Sequence, residues 1–402
     1  MIQLSLPQAR RFLLKQQFLL PPRSLRGTQD ALRIFERLGC IQYDPVDQVG
    51  HNPELVLQAR LADYTPALLN DLLYSTRQLW DGFDKVMSIY QAQDYPFFAR
   101  QRRRLENDHY HRPLPPPDVT EMVLNEIRSR GPLSSIDIEH EARADWHWGE
   151  TRLVRAVLES QFGMGALGIH HRVGTRRYFD LVENLLPAEL LAAPEPNPTR
   201  EGYEDWHTLR RVGSLGLAHA GAGEHWLGLL EMKSPQRQAA LQRLQRRGEV
   251  LPVQVEGLER HTFYLRQADA PLLEDLDHPP AAPQMAFIAP LDNLLWHRDR
   301  LRWLFNFDYI WEVYKVPAQR KYGYYVLPVL YGERFIARLD PALDRKAKRF
   351  TLRNWWWEEG FTPDDSLLPA LRETLAQFLA YLGNPAFSLG EAIANDPVLS
   401  KI

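Results

Sequence analysis

Three proline-rich stretches constrain how this 402-residue chain can fold, because proline lacks a backbone N–H and interrupts helices and sheet interiors. Each has the composition of a linker between structured segments. The stretches are HYHRPLPPPD (109–118), AAPEPNPTR (192–200) and ADAPLLEDLDHPPAAPQ (268–284). They predict four domains, at residues 1–112, 113–195, 196–275 and 276–402.

The second of these segments has the clearest order of elements. Val119, Val123 and Ile127 fall on one face of a helix that Gly131 ends. A short helix around residues 135–141 and a third helix after residue 151 are expected next. The strands ALGIHHRV and RRYFDLV then follow, with a turn at Gly174 between them. Helices followed by a two-stranded hairpin are typical of a winged helix-turn-helix unit.

The neighbouring segments repeat this order, and the last one differs. In the third, a helix over 234–247 precedes the strands EVLPVQV and HTFYLR; in the first, a helix from residue 28 to 38 precedes the strand CIQYD. The tail is rich in strand formers, at 322–339 and in FTLRNWWWEEG, before a helix over 366–382. We therefore predict an α+β fold, with three tandem winged helix-turn-helix units and a C-terminal β-barrel-like domain.

Charge and composition exclude several classes of protein. A single cysteine excludes an intrachain disulfide, a multi-cysteine zinc site and an iron–sulfur cluster held by the protein. The N-terminus has no apolar run that could be a signal peptide or span a membrane. We expect a cytoplasmic protein without a metal site or cofactor. The net charge is −3, but clustered arginines make a basic surface plausible.

The stretch LGCIQYDPVDQVG (38–50) has the pattern of an apolar strand that carries two polar side chains. Alternate side chains of an extended strand share a face, so Gln42 and Asp44 should point the same way. Such a pair could be a solvated strand face that ends at an Asp-Pro turn, or it could hold a water molecule for chemistry. The local sequence leaves both interpretations open.

Three parts of the chain together form a recognisable pattern. They are Gln42-Tyr43-Asp44, GPLSSIDIEHE (131–141) and the block from PLDNLLWHRDRLRWLFNFDY to VPAQRKYGYYVLPVLYGERFIARLD. With this pattern the chain resembles the AlkZ/AlkX (YcaQ-like) DNA glycosylase family. The resemblance implies three tandem winged helices that form a channel, with a β-barrel-like domain. It also implies excision of N-alkylated purines from double-stranded DNA. The branch of the family with Gln-apolar-Asp is associated with unhooking interstrand crosslinks.

The resemblance assigns Gln42 and Asp44 to catalysis. Alkylation at N7 makes guanine cationic and a good leaving group, so the difficulty lies in the oxocarbenium-like charge at C1′ of the sugar. A carboxylate at Asp44 can stabilise that charge and accept a proton from water, which Gln42 can orient. We therefore expect a monofunctional hydrolase that leaves an abasic site, forms no Schiff base and works as a monomer.

Other residues are candidates for contact with DNA. Tyr43 could lie near the lesion through cation–π attraction. His51 and Asn52 could also lie there, or could form the helix N-terminus before Pro53. Phosphate contacts are expected from basic residues, each of which could instead be solvated. These are Arg176, Arg177, Arg298, Arg320 and Lys321.

The chain departs from the family pattern at two places, and rival functions stay open. Family members carry Trp-Ala-His-Glu after the first unit, where this chain has Trp80-Asp81-Gly82-Phe83-Asp84-Lys85, and His51 replaces a frequent arginine. The main alternative function is a winged-helix DNA-binding protein without catalysis, a regulator or architectural factor. The sequence has no cofactor motif that would support a third function, as an enzyme of small-molecule metabolism.

Overall fold

The computed structural model of the chain describes residues 1–107, 114–146, 149–229 and 232–402. Its helices are α1 (Leu6–Gln16), α2 (Gly27–Leu38), α3 (Asn52–Gln58), α4 (Pro66–Asn70), α5 (Ala99–Asn107), α6 (Pro117–Arg130), α7 (Leu153–Met164), α8 (Ala188–Leu191), α9 (Arg200–Leu215), α10 (Ser234–Arg246), α11 (Arg298–Phe305) and α12 (Leu368–Tyr381).

The strands are β1 (Ile2–Leu4), β2 (Cys40–Gln42), β3 (Leu79–Phe83), β4 (Met87–Gln91), β5 (Arg143–Trp146), β6 (Gly149–Arg152), β7 (Leu167–Val173), β8 (Arg176–Leu181), β9 (Ala218–His219), β10 (Val250–Val255), β11 (Thr262–Arg266), β12 (Met285–Phe287), β13 (Leu327–Tyr331), β14 (Arg334–Asp344), β15 (Arg349–Trp357) and β16 (Ala386–Leu389). Helices and strands alternate irregularly, so the fold is α+β, as predicted.

The chain packs as two compact units. Unit 1 contains Met1–Leu69, Asp84–Met87 and Tyr203–Ile402; unit 2 contains Asn70–Phe83 and Ser88–Gly202. The predicted boundary between residues 112 and 113 lies outside the described residues. The division into four domains stays a prediction.

Unit 2 contains the hairpin predicted for the second segment. β7 and β8 are antiparallel, and Gly174 turns between them with a φ of +60°. Leu133 and Phe179 exchange backbone hydrogen bonds of 3.0 and 2.8 Å, which attaches the end of the α6 region to β8. The helix order before this hairpin differs from the prediction.

The short helix expected around residues 135–141 is not formed; turns lead from there into the hairpin of β5 and β6. Asp137 accepts hydrogen bonds from both the backbone N–H and the hydroxyl of Ser134, at 2.8 and 2.6 Å. Such local side-chain bonds to the backbone compete with helix formation. Arg152 also binds the carbonyls of Ser135 and Ile138, which fixes the segment in its turn conformation.

Two sheets lie wholly within the described part of unit 1. The first has the order β1-β10-β11-β9, with β1 parallel to β10 and the predicted hairpin of β10 and β11 at its centre. The second is a five-stranded half-barrel of order β12-β13-β14-β15-β16, covered by the predicted last helix, α12. One apolar core includes Phe12 of α1, Phe263 of β11 and Leu301 of α11, each buried completely.

A charged pair is buried in unit 1 beside this core. Arg60 and Asp292 are both fully buried, and two guanidinium N–H groups donate to the two carboxylate oxygens at 2.8 and 2.9 Å. Arg60 also donates to the carbonyls of Gln17 and Val56, while Asp292 accepts from the Leu294 N–H. The pair therefore fixes the segment around residues 290–296 to the α1 and α3 regions.

We predict that Asp292→Asn will lower the free energy of unfolding by about 3–5 kcal/mol, because it leaves the Arg60 charge buried without a counter-ion. The double variant Arg60→Met/Asp292→Leu should recover much of that loss, since it removes both charges. Urea unfolding followed by tryptophan fluorescence measures both. Asp299→Asn is the control, because its partner Arg302 is exposed and such pairs contribute about 0–1 kcal/mol. If Asp292→Asn lowers the free energy of unfolding no more than the control does, the Arg60–Asp292 pair does not have this stabilising role.

Candidate active site

A cavity of about 310 Å³ in unit 1 brings together side chains from four distant stretches of sequence. It contains both predicted catalytic residues, a lysine and several aromatic rings. Its lining residues are Gln42, Asp44, Lys85, Val86, Glu224, Leu227, Pro290, Leu291, Leu295, Trp296, Arg298, Tyr309, Trp311 and Tyr314. Tyr314 is 82% exposed, so an aromatic ring stands at the rim.

Two glycines bracket the stretch that carries Gln42 and Asp44. Gly39 ends α2 with a φ of +74°, and a Cβ there would lie 3.1 Å from Cγ of Arg210. Gly50 has a φ of +113°, and a Cβ there would lie 1.6 Å from the Tyr381 hydroxyl, which donates to the Val49 carbonyl. Both ends of the stretch are therefore held by close backbone packing.

Strand β2 ends at Gln42, two residues earlier than the sequence suggested. Cys40 and Ile41 are completely buried and anchor the strand, and the Tyr43 N–H still donates to the Met87 carbonyl at 2.9 Å. Asp44 then turns the chain, with its Oδ1 accepting the Val46 N–H at 2.9 Å. Gln42 and Asp44 nevertheless line the same cavity.

Asp44 is a partly buried carboxylate. Burial raises its pKa above the usual range of an aspartate, opposed by the Val46 N–H and by His51. Loss of solvation makes the ionised carboxylate a stronger proton acceptor than one in water. The group therefore has the electrostatic character that a general base needs.

The amide of Gln42 has its oxygen occupied. Lys85 Nζ donates to Gln42 Oε1 at 3.3 Å, and within the described residues the amide nitrogen has no hydrogen-bond partner. The backbone carbonyl of Gln42 accepts from Asn52 Nδ2 at 2.7 Å. Asn52 Oδ1 in turn accepts the Leu291 N–H at 3.0 Å. Asn52, which is buried, thus joins the end of β2 to the cavity wall that contains Leu291.

Tyr43 and His51 stack on one another, with their ring centroids 5.6 Å apart. His51 is the N-cap of α3, and Glu54 Oε2 accepts its backbone N–H at 2.6 Å. Within the part of the chain that the structure describes, Tyr43, His51 and Asn52 are not among the lining residues. Their proximity to a lesion stays a prediction.

Lys85 was not identified from the sequence, and it lies in the cavity beside Gln42. Its ammonium is 5.1 Å from the centre of the Trp296 ring, and the residue is 8% exposed. Burial and the charge of Arg211 lower the pKa of Lys85 to about 8. The residue is 43 positions from Gln42, so no local pattern could have revealed the pair.

The residue before Lys85 holds this part of the wall in position. Asp84 is buried and accepts from Arg210 Nε at 2.7 Å and from Arg211 Nη2 at 2.9 Å, with His207 Nε2 at 3.2 Å. Burial alone would raise the pKa of Asp84, but Arg210, His207 and Arg211 hold it well below the usual range. The aspartate is therefore ionised at neutral pH.

The same two arginines reach other cavity segments. Arg210 donates to the Gly39 carbonyl at 2.6 Å, directly before β2. Arg211 donates to the carbonyls of His225 and Leu227, at 2.8 and 2.7 Å. The Asp84 cluster, defined as Asp84, His207, Arg210 and Arg211, thus links three of the segments that form the cavity.

The basic residues predicted to bind DNA lie in different places. Arg298 lines the cavity and pairs with Glu224 at 3.0 Å. Arg320 and exposed Lys321 lie on the irregular segment before β13, against the rings of Tyr324 and Tyr322. Arg176 and Arg177 belong to β8 of unit 2, where Arg176 is exposed and Arg177 donates to Glu159 at 2.6 Å.

Metal-binding clusters and membrane-spanning helices are both absent from the described residues. No group of three or more His, Cys, Asp or Glu side chains there has a geometry that could hold a metal ion. None of the helices described above is long and apolar enough to cross a membrane.

Unit 1 thus has a cavity whose lining includes a partly buried carboxylate, Asp44, and an amide, Gln42. Residues 35–381 match the model of the AlkZ-like DNA glycosylase family. The chain therefore belongs to this family, and the resemblance inferred from the sequence is confirmed.

A solved structure supports the fold. The DNA glycosylase AlkZ of Streptomyces sahachiroi superimposes with a TM-score of 0.62 at 15% sequence identity, over 96% of this chain and 99% of that chain. The two proteins are therefore similar in fold over almost their whole length.

We predict that Asn52→Ala will lower the free energy of unfolding by about 1–3 kcal/mol, because it leaves the Gln42 carbonyl and the Leu291 N–H without their partner. Asn52→Asp should cost at least as much, since a carboxylate cannot donate to the Gln42 carbonyl. Chemical denaturation measures both variants. Asn70→Ala, at an exposed position, is the matched control. Equal stability of the Asn52→Ala variant and the control would show that Asn52 does not join Gln42 to Leu291 by hydrogen bonds.

Proposed function

We propose that this glycosylase hydrolyses the N-glycosidic bond of N7-alkylated purines in double-stranded DNA, including purines joined in interstrand crosslinks. The observation that carries the proposal is the shared cavity of Gln42 and Asp44, in which burial raises the pKa of the carboxylate. A cationic alkylated base is already a good leaving group. The enzyme then needs only to stabilise the sugar cation and deliver water.

In this mechanism Asp44 acts at C1′. Its carboxylate lies beside the oxocarbenium-like charge and accepts a proton from the attacking water. Gln42 donates from its amide nitrogen to that water, while its amide oxygen accepts from Lys85. Water rather than an amine displaces the base, so base release is monofunctional and leaves an abasic site.

An open cavity suits a crosslinked substrate. A base tied to the opposite strand cannot be flipped freely into a deep pocket. The exposed ring of Tyr314 offers aromatic surface for a cationic base at the rim, and the rings of Trp296 and Trp311 line the cavity itself. We propose that Tyr43, His51 and Asn52 act close to the lesion.

We further propose that three of the four predicted domains are tandem winged-helix units. These units would hold the duplex. Arg176, Arg177, Arg298, Arg320 and Lys321 would contact phosphates, which position a duplex without reading its sequence. We also propose that the protein is cytoplasmic, acts as a monomer and needs no cofactor. A regulator with the same fold would instead bind one sequence tightly and release no base.

We predict that Asp44→Asn and Gln42→Ala will each lower the rate of 7-methylguanine excision by about 100-fold or more, since each removes a group that acts on the water. Alkaline cleavage of a labelled duplex reveals the abasic sites, and denaturing gels of nitrogen-mustard-crosslinked duplex reveal unhooking. Asp47→Asn is the matched control, because Asp47 is a nearby carboxylate outside the cavity lining described above.

The pH dependence adds a second measurement. The ionised form of Asp44 is the active one, so excision should be lost as the pH falls through its raised pKa, at a higher pH than for a solvated aspartate. The DNA affinity of the Asp44→Asn and Gln42→Ala variants should remain close to that of the wild-type protein. Wild-type inactivity on both lesions would favour a DNA-binding protein without catalysis.

We predict that Arg320→Ala/Lys321→Ala will weaken DNA binding equally for all sequences and will reduce the slope of log Kd against log salt by about 2, since each of the two side chains neutralises one phosphate. Fluorescence anisotropy at several salt concentrations measures this slope. Arg302→Ala is the control, because Arg302 already pairs with Asp299 and Asp308. An unchanged slope would remove these two residues from the interface.

A further inference from the structure

The proposed mechanism leaves the amine of Lys85 without a chemical role, although it lies in the cavity beside Gln42. We propose that Lys85 forms an imine with the C1′ aldehyde of the abasic sugar, so that this site captures abasic DNA. The inference rests on the proposed function for the identity of the product, an abasic site. It adds a second reaction that begins after the base has left.

The location of the amine is suited to this reaction. Lys85 Nζ is 3.3 Å from Gln42 Oε1, and Gln42 is the group proposed to orient water at C1′. An amine beside the water-binding amide is close to the carbon that the water attacks. Its approach is restricted by the Trp296 ring on one side and by the fixed backbone next to Asp84 on the other. Such restriction favours reaction with a bound partner.

The environment keeps part of the amine neutral, as a nucleophile must be. Burial and the charges of Arg211 and Arg298 lower the pKa of Lys85 to about 8, against the opposing charge of Glu224. At pH 7 the Lys85 amine is then unprotonated in about one molecule in ten. The amine of a lysine with an ordinary pKa is unprotonated in about one molecule in 3,000. Cys40 itself is no competitor, because burial raises the pKa of its thiol to about 12.

The step balances without any external oxidant or reductant. The abasic sugar opens to an aldehyde, and the lone pair of Lys85 Nζ forms a bond to C1′. Both protons of the neutral amine move to the former carbonyl oxygen, which leaves as water when the C=N bond forms. Hydrolysis reverses the sequence and releases both the aldehyde and the lysine. The expectation that no Schiff base forms was based on base release, which the cationic leaving group makes easy.

The test uses duplex DNA with a preformed abasic site, made by treating a uracil-containing duplex with uracil-DNA glycosylase. Sodium borohydride reduces an imine to a stable secondary amine, so the full-length protein should become crosslinked to DNA on a denaturing gel. Peptide mass spectrometry of the wild-type adduct should locate the modification at Lys85. No adduct, or an adduct only at another lysine or at the N-terminal amine, would overturn the proposal.

Variants provide a second readout. Lys85→Arg keeps a cation near Gln42 but cannot form the imine, so trapping should fall at least tenfold. Lys346→Arg is the matched control, because Lys346 is exposed on the turn between β14 and β15 and should trap like wild type. Thermal unfolding shows whether the Lys85 variant is folded, and the wild-type mapping does not depend on that result. Full trapping by folded Lys85→Arg would also overturn the proposal.

The two proposals can fail separately. Preformed abasic DNA bypasses base excision, so trapping at Lys85 does not require Asp44 to act on water. Failure to release 7-methylguanine would contradict the proposed glycosylase substrate while leaving the capture reaction measurable. Excision without trapping would contradict only the role of Lys85.

Discussion

The cavity of unit 1 depends on the ion pairs that the buried Asp84 carboxylate forms with two arginines. The carboxylate is buried among Arg210, Arg211 and His207, and each arginine carries the connection further, to Gly39 or to Leu227. A buried carboxylate of this kind is stable only when its partners are complete, because an unpaired charge in a protein interior is strongly unfavourable. The positions of β2, Lys85 and the segment near Leu227 are therefore set together.

This dependence connects packing to the proposed chemistry. A hydrolytic site needs its water, its base and its substrate held within a fraction of an ångström. Here Asn52 fixes the end of β2 to Leu291, and Arg60 with Asp292 fixes the neighbouring wall to the α1 and α3 regions. Buried polar contacts of this kind have directions, unlike apolar packing. They are therefore suited to holding Gln42 and Asp44 in one orientation.

Local patterns in the sequence predicted much of this arrangement, and long-range contacts account for what they missed. The hairpins of β7 with β8 and of β10 with β11 follow from glycine turns and alternating residues. The joint presence of Gln42 and Asp44 in one cavity agrees with their spacing, although β2 ends at Gln42. The expected helix at 135–141 failed because Asp137 binds Ser134 locally. Lys85 and the Asp84 cluster involve partners 43 and more than 120 positions away, which no short motif encodes.

The sheet that contains β1 has a consequence for how the protein is made. Its first strand, residues 2–4, pairs in parallel with residues 253–255, so its edge has no partner while the intervening chain is still being synthesised. Domains whose residues are contiguous can fold as they leave the ribosome, N-terminal part first. The opening residues of this chain must instead wait until some 250 later ones have emerged. The first sheet of unit 1 therefore cannot be completed before β10 has been synthesised.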